Sequence, residues 1–320
     1  MLSLQQVATV VTLRKHTDST DTNGVTRIPD IYTEKRAQQK PVISVEFFPP
    51  KTQRGDENLF QHVLPELVEV QPDFCSVTYG AGGSTRDKTL EVTDRIQREF
   101  DLVGMAHLTC LHSSTSALSE YLTEAEARGI ENILALRGDP PVDFKDSTDE
   151  AKGFDYAYQL VEFIKANSDS SIGCAGFPEG HIACQDTKQV DWKYLHHKID
   201  CGAQFVLTQL FFDNSDYFEM TNYLQATLGV TVPITPGVLP ILSTEQIKRF
   251  TTLCGANLPQ KLVAQLDELG SDDNAVRAFG IDYATRQCEE LLAGGAPGLH
   301  MYSLNRSRAT ASILKNLGLR

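Results

Sequence analysis

From residue 42 onward one pattern recurs: a short apolar run, then a longer segment of helical period. The runs VISVEFF (42–48), FCSVTYG (74–80), VGMAHLTC (103–110), NILALRG (132–138), SIGCAGF (171–177), QFVLTQLFF (204–212), VPITPGVL (232–239) and GLHMYSL (298–304) read as strands. Helical segments separate them. In TRDKTLEVTDRIQREF, Leu90, Thr93, Ile96 and Phe100 form one stripe. Ser243 followed by Gln246 has capping-box form, and Gly129 and Gly202 fall where helix C-caps are expected. Eight strand-then-helix units are the number that closes a parallel barrel. The sequence therefore predicts an α/β fold, a (β/α)8 TIM barrel over residues 41–320. Residues 1–40 are polar and read as an N-terminal extension, with one short helix at its start. Residues 255–297 exceed one unit and predict extra helices before the last strand. The runner-up is an open doubly wound sheet, but no G-x-G-x-x-G follows a strand.

Strand alternation then sorts side chains. On the first strand Ile43, Val45 and Phe47 share the apolar face, which leaves Ser44 and Glu46 pointing into the barrel. The same parity turns Ser76 and Thr78, then Met105, His107 and Thr109, then Phe205, Leu207 and Gln209 inward. Arg137 is expected to point inward on the fourth strand, with Asp139 just past its end. Polar residues thus recur at the C-terminal strand ends, the face where barrel enzymes build their sites. Glu46 is the sharpest case, a carboxyl between Phe47, Phe48 and two prolines. A carboxyl among apolar neighbours gains from carrying its proton, as a general acid must. A solvated strand-end glutamate is the bland alternative; the convergence of several polar strand ends weighs against it.

Other features narrow the function classes. The net charge of −13 argues against nucleic acid or an anionic membrane as the main partner. Seven scattered cysteines without C-x-x-C suit reduced thiols in a cytoplasmic protein. No apolar stretch is long enough to span a bilayer. A metal site at His107, Cys110 and His112 is disfavoured, because alternation puts His107 and Cys110 on opposite faces. No metal is expected. The run GAGGS (80–84) can form an anion nest but lacks the ending of a P-loop.

The motifs SVEFFPPKT (44–52), SVTYGAGGSTRDKT (76–89), AHLTC (106–110), ILALRGDPP (133–141), FPEGH (177–181), DWKYLHHKIDCGAQFVLTQLFFD (191–213), ITPGVLPI (234–241) and YSLNRS (302–307) run in one order through most of the chain. Together they resemble the catalytic domain of the methylenetetrahydrofolate reductase family. The resemblance implies a barrel that binds FAD. It implies a ping-pong reaction in which NAD(P)H reduces the flavin and the flavin reduces methylenetetrahydrofolate. It implies that Glu46 protonates the folate and that Asp139 favours the cationic ring-opened intermediate. Gln209, Gln246, Phe250 and Arg306, with Glu46 and Asp139, are the implied substrate contacts. The implied FAD contacts are Thr78, Tyr79, Ala81, His107, Arg137, Gly138, Asp139, Tyr156, Ala175, Phe177, His181, Asp191, Lys198 and Ala203. Phe177 stands where many bacterial relatives have tyrosine, so a hydroxyl contact is lost there. Homo-oligomerisation is implied as well. A regulatory domain that senses S-adenosylmethionine, present in many eukaryotic relatives, is not expected here. Two other readings fit a barrel with this mouth: a non-catalytic folate- or flavin-binding subunit, and a metal-dependent lyase.

Overall fold

In the computed structural model, which describes residues 27–80, 86–111, 113–139, 153–270 and 272–319, eight parallel strands close into a barrel in sequence order. They are β1 (Val42–Phe47), β2 (Phe74–Val77), β3 (Val103–Thr109), β4 (Asn132–Leu136), β5 (Ser171–Gly176), β6 (Phe205–Leu210), β7 (Ile234–Val238) and β8 (Gly298–Tyr302). Each falls inside a run read from the sequence. Helix α1 (Ile28–Ala37) precedes β1. Around the barrel run α2 (Gln53–Asn58, continued by a π turn and Leu64–Val68), α3 (Arg86–Phe100), α4 (Thr115–Ala127), α5 (Ala157–Asn167), α6 (Lys188–Cys201) and α7 (Asn214–Asn222). After β7 comes α8 (Thr244–Cys254), then α9 (Gln260–Leu269) and α10 (Asp273–Ala293), the extra helices expected within residues 255–297, and α11 (Ser307–Asn316) follows β8.

The alternation holds on most strands. Ile43, Val45 and Phe47 pack outward with Cys75, Val77, Ala106 and Leu108 in the layer shared with the helices. Val42, Phe74, Met105, Leu134, Phe205 and Leu207 fill the barrel from within. Two differences stand out. Leu134 faces inward with Leu136 packed beside it, so parity does not carry Arg137 inward; β4 ends at Leu136 and Arg137 belongs to the loop beyond. The second concerns residues 28–37, read as part of the polar extension. They form α1, whose Ile28, Ile31 and Tyr32 close the barrel floor against Val42, Phe74 and Phe205. Only a few of the ten residues are apolar, so the helix is hard to see in the sequence, yet those few point one way. Tyr32 Oη bonds Thr235 Oγ1 at 2.5 Å, and the Ile28 amide donates to Asn132 Oδ1 at 2.9 Å.

Local signals place the helices. Ser243 Oγ accepts from the Gln246 amide and starts α8. Gly129 and Gly202, with φ of 67° and 137°, end α4 and α6 as expected. Among the described residues no helix is long and apolar enough to cross a membrane.

Candidate active site

The strand register sets Glu46 beside Ser76 on β2 and Tyr302 on β8, one layer above the paired Ser44 and His300. Glu46 is buried. Its Oε2 lies 3.4 Å from His300 Nε2, 3.4 Å from His107 Nε2 and 3.5 Å from Ser76 Oγ, which donates to it. Its backbone carbonyl accepts from Ser303 Oγ at 2.6 Å, which fixes the strand end. Prolines follow at Pro49 and Pro50, where the strand stops.

His107 is 5% exposed, and burial pushes its imidazole down to about 4, with Glu46 acting in the opposite sense. At neutral pH it is therefore uncharged, and its approach to Glu46 is not an ion pair. His107 Nε2 is buried without a hydrogen-bond partner among the described residues. Such an orphan at a barrel mouth calls for a ligand. Tyr302 closes the β8 side; burial raises its phenol well above the usual range, and its Oη donates to the Thr208 carbonyl at 2.7 Å. Gly237 makes that approach possible, since a Cβ there would sit 2.2 Å from the Thr208 carbonyl oxygen and 2.6 Å from the Tyr302 ring.

A second group forms where β4, β5 and α6 meet. His181 is held below its ordinary value by burial and by Arg137 and Lys198, while Asp191 and Asp139 oppose the shift. Asp191 is raised by burial, against the pull of Lys198 and His181. Arg137, Asp139, Asp191 and Lys198, all named from the sequence, thus lie close enough to act on His181. Lys198 Nζ donates to the Ala175 carbonyl, and Trp192 Nε1 donates to the Phe177 carbonyl at 3.0 Å, so α6 holds the FPEGH loop. Phe177 meets His181 edge to face at 4.5 Å. Gly138, at φ 84°, turns the chain between Arg137 and Asp139 where another residue would be strained.

The remaining predicted positions scatter around this frame. Thr78 is tied to β1 through the Phe47 carbonyl at 2.9 Å, and Tyr79 packs edge-on to Tyr121 at 5.8 Å. Tyr156 is exposed at the N-cap of α5 and stacks on Tyr158. Gln209 Oε1 accepts from its neighbour's amide at 2.9 Å, and the residue lines a small pocket with Phe177, Glu179 and Gly255. Phe250 on α8 is half-buried against the cluster that holds Leu210, Leu239 and Ile247. Gln246 is half-exposed in the first turn of the same helix. Arg306 is exposed at the N-cap of α11. Ala203 is not brought to the mouth: it is buried just before β6 begins, at the floor end of the barrel. Ala81 and residues 140–150 lie outside the described residues. Sequence reasoning missed His300 and Tyr302. The same alternation along GLHMYSL would have turned both inward.

Comparison with known proteins decides the lineage. Residues 32–318 match the family described as methylenetetrahydrofolate reductase. This chain belongs to that family. It is 38% identical over 292 residues to methylenetetrahydrofolate reductase (NADH) 1 of Arabidopsis thaliana, covering 88% of this chain and 49% of that one. It is 34% identical over 278 residues to the 5,10-methylenetetrahydrofolate reductase of Pectobacterium carotovorum, covering 87% of this chain and 90% of that one. The chain spans about half the length of the plant relatives it matches. A Clostridium thermocellum protein, titled as binding two copies of 5-methyl-5,6,7,8-tetrahydrofolic acid, shares the fold at a TM-score of 0.57 and 16% identity, over 88% of this chain and 96% of that one.

Proposed function

We propose that this member of the methylenetetrahydrofolate reductase family reduces 5,10-methylenetetrahydrofolate to 5-methyltetrahydrofolate with NAD(P)H, using FAD bound at the barrel mouth. The observation that carries the reading is Glu46, a carboxyl buried at the C-terminal strand ends with no lysine or arginine paired to it among the described residues. The residues present fit a flavin dinucleotide. The unpartnered His107 Nε2 offers a polar contact, and Arg137, His181 and Lys198 offer charge and donors for a pyrophosphate. A flavin held there would supply the hydride-transfer chemistry that links a nicotinamide to the folate.

The chain's own residues do the rest. Glu46 hands its proton to the folate nitrogen, which opens the five-membered ring. Asp139 adds negative charge at the mouth and favours the cation so formed. Gln209 keeps its amide nitrogen available for a pterin edge, because its oxygen is already engaged. Relatives are named for NADH and for NADPH, and both are candidate donors. The test is direct. The chain loaded with FAD should bleach anaerobically with NADH or NADPH and regain its yellow colour on addition of 5,10-methylenetetrahydrofolate. A flavin-loaded chain that neither nicotinamide bleaches would instead be a flavin-binding partner subunit.

A further inference from the structure

The three nearest groups to the Glu46 carboxyl converge on the same oxygen. His300 Nε2 at 3.4 Å, His107 Nε2 at 3.4 Å and Ser76 Oγ at 3.5 Å all address Oε2. Oε1 makes no hydrogen bond among the described residues. The partner that governs this asymmetry is His300, completely buried in the layer below and paired in register with Ser44. Ser44 Oγ lies 2.8 Å from His300 Nδ1, against 3.4 Å to its other acceptor, the Leu299 carbonyl. With the hydroxyl donating to Nδ1, the ring hydrogen sits on Nε2 and points at Glu46. The ring itself is clamped. Phe74 stacks on it at 6.5 Å and 21°, and Tyr302 meets it edge-on at 5.2 Å and 83°.

We propose that His300, set by Ser44, is a positioning residue that gives the two oxygens of Glu46 different tasks: Oε2 is the anchored acceptor, and Oε1 carries the proton toward the substrate. The step balances. The O–H bond at Oε1 breaks as an N–H bond forms on the folate, and the carboxylate left behind keeps the His300 donor on Oε2. The other titratable groups facing Glu46 keep their charge state through the neutral range. His107 titrates near 4 and Tyr302 well above its usual range.

This inference rests on the proposed folate reduction, and its test separates the two. The FAD-loaded wild type is compared with His300→Leu, His300→Gln and Ser44→Ala in each half-reaction. His300→Leu should reduce its flavin with NAD(P)H at the wild-type rate. Its folate half-reaction should slow roughly ten- to a hundredfold, the scale of a lost hydrogen bond to a charged group. The alkaline limb of that step should move to higher pH, because the carboxylate has lost a donor. His300→Gln, which can still donate, should recover part of the rate. Ser44→Ala should give a smaller loss of the same kind, and serves if the leucine variant does not fold. An equal fall in both half-reactions, an unmoved alkaline limb, or a glutamine variant no better than leucine would overturn the assignment. A wild type that reduces its flavin but never passes hydride to folate would defeat the functional reading itself.

Discussion

The floor and the mouth of the barrel are built from the same strands and the same inward-facing rows, two to four residues apart. At the floor the rows present Val42, Phe74, Met105, Leu134 and Phe205, sealed by Ile28, Ile31 and Tyr32 of α1. At the mouth β1, β2 and β3 present Glu46, Ser76 and His107. The floor answers its few polar groups locally, as Tyr32 does with Thr235 and Asn132 with the Ile28 amide. The mouth leaves His107 Nε2 buried without a hydrogen bond among the described residues. A packed floor gains stability from satisfaction, whereas a site keeps polar capacity in reserve for a ligand. Ser44 and His300 mark the layer where one regime passes into the other.

That division can be broken from either side. Glu46→Gln should lower steady-state folate reduction by about 10²–10⁴-fold, the usual worth of a general acid, with little change in the urea midpoint. Phe205→Ala should do the reverse. The ring occupies the space that Gly173 leaves open, 2.4 Å from where a Cβ would stand there, so its removal opens a cavity that Gly173 has no side chain to fill. The loss should be about 3–5 kcal/mol in denaturant unfolding, with the ratio of the two half-reaction rates unchanged in the folded protein. Asp139→Asn at the exposed rim should make the flavin easier to reduce and slow the folate step by a few-fold, roughly the worth of one charge near the surface. A lower reduction potential in that variant would contradict the electrostatic role. The smallest effect is expected from Ser243→Ala, which removes the N-cap of α8. It should cost about 1 kcal/mol in urea unfolding, without altering the m-value.

Much of this division is legible in the amino-acid sequence alone. Short apolar runs locate all eight strands, and period-two alternation turns Glu46, Ser76 and His107 inward, because a strand buried on both faces still alternates between two different surroundings. The rest is hidden for local reasons. Arg137 reads one residue too deep, since RGD continues an apolar run and the run does not reveal that β4 ends at Leu136. Helix α1 hides because a plug needs only one apolar edge, and IPDIYTEKRA supplies three buried residues in ten. His300 sits within a strand between Leu299 and Met301 and looks like a core histidine; alternation can turn it inward, but its partners Ser44 and Glu46 emerge only from the register and the distances. Ala203 carries no side-chain signal that could tell one end of a strand from the other.

In the proposed reaction Glu46 is the acid for folate and not for nicotinamide. The most direct measurement is anaerobic stopped-flow of FAD-loaded Glu46→Gln in two separate mixes. It should be reduced by NAD(P)H at close to the wild-type rate and, once reduced, should fail to be reoxidised by 5,10-methylenetetrahydrofolate. Reoxidation at the wild-type rate, or an equal loss in both mixes, would contradict it.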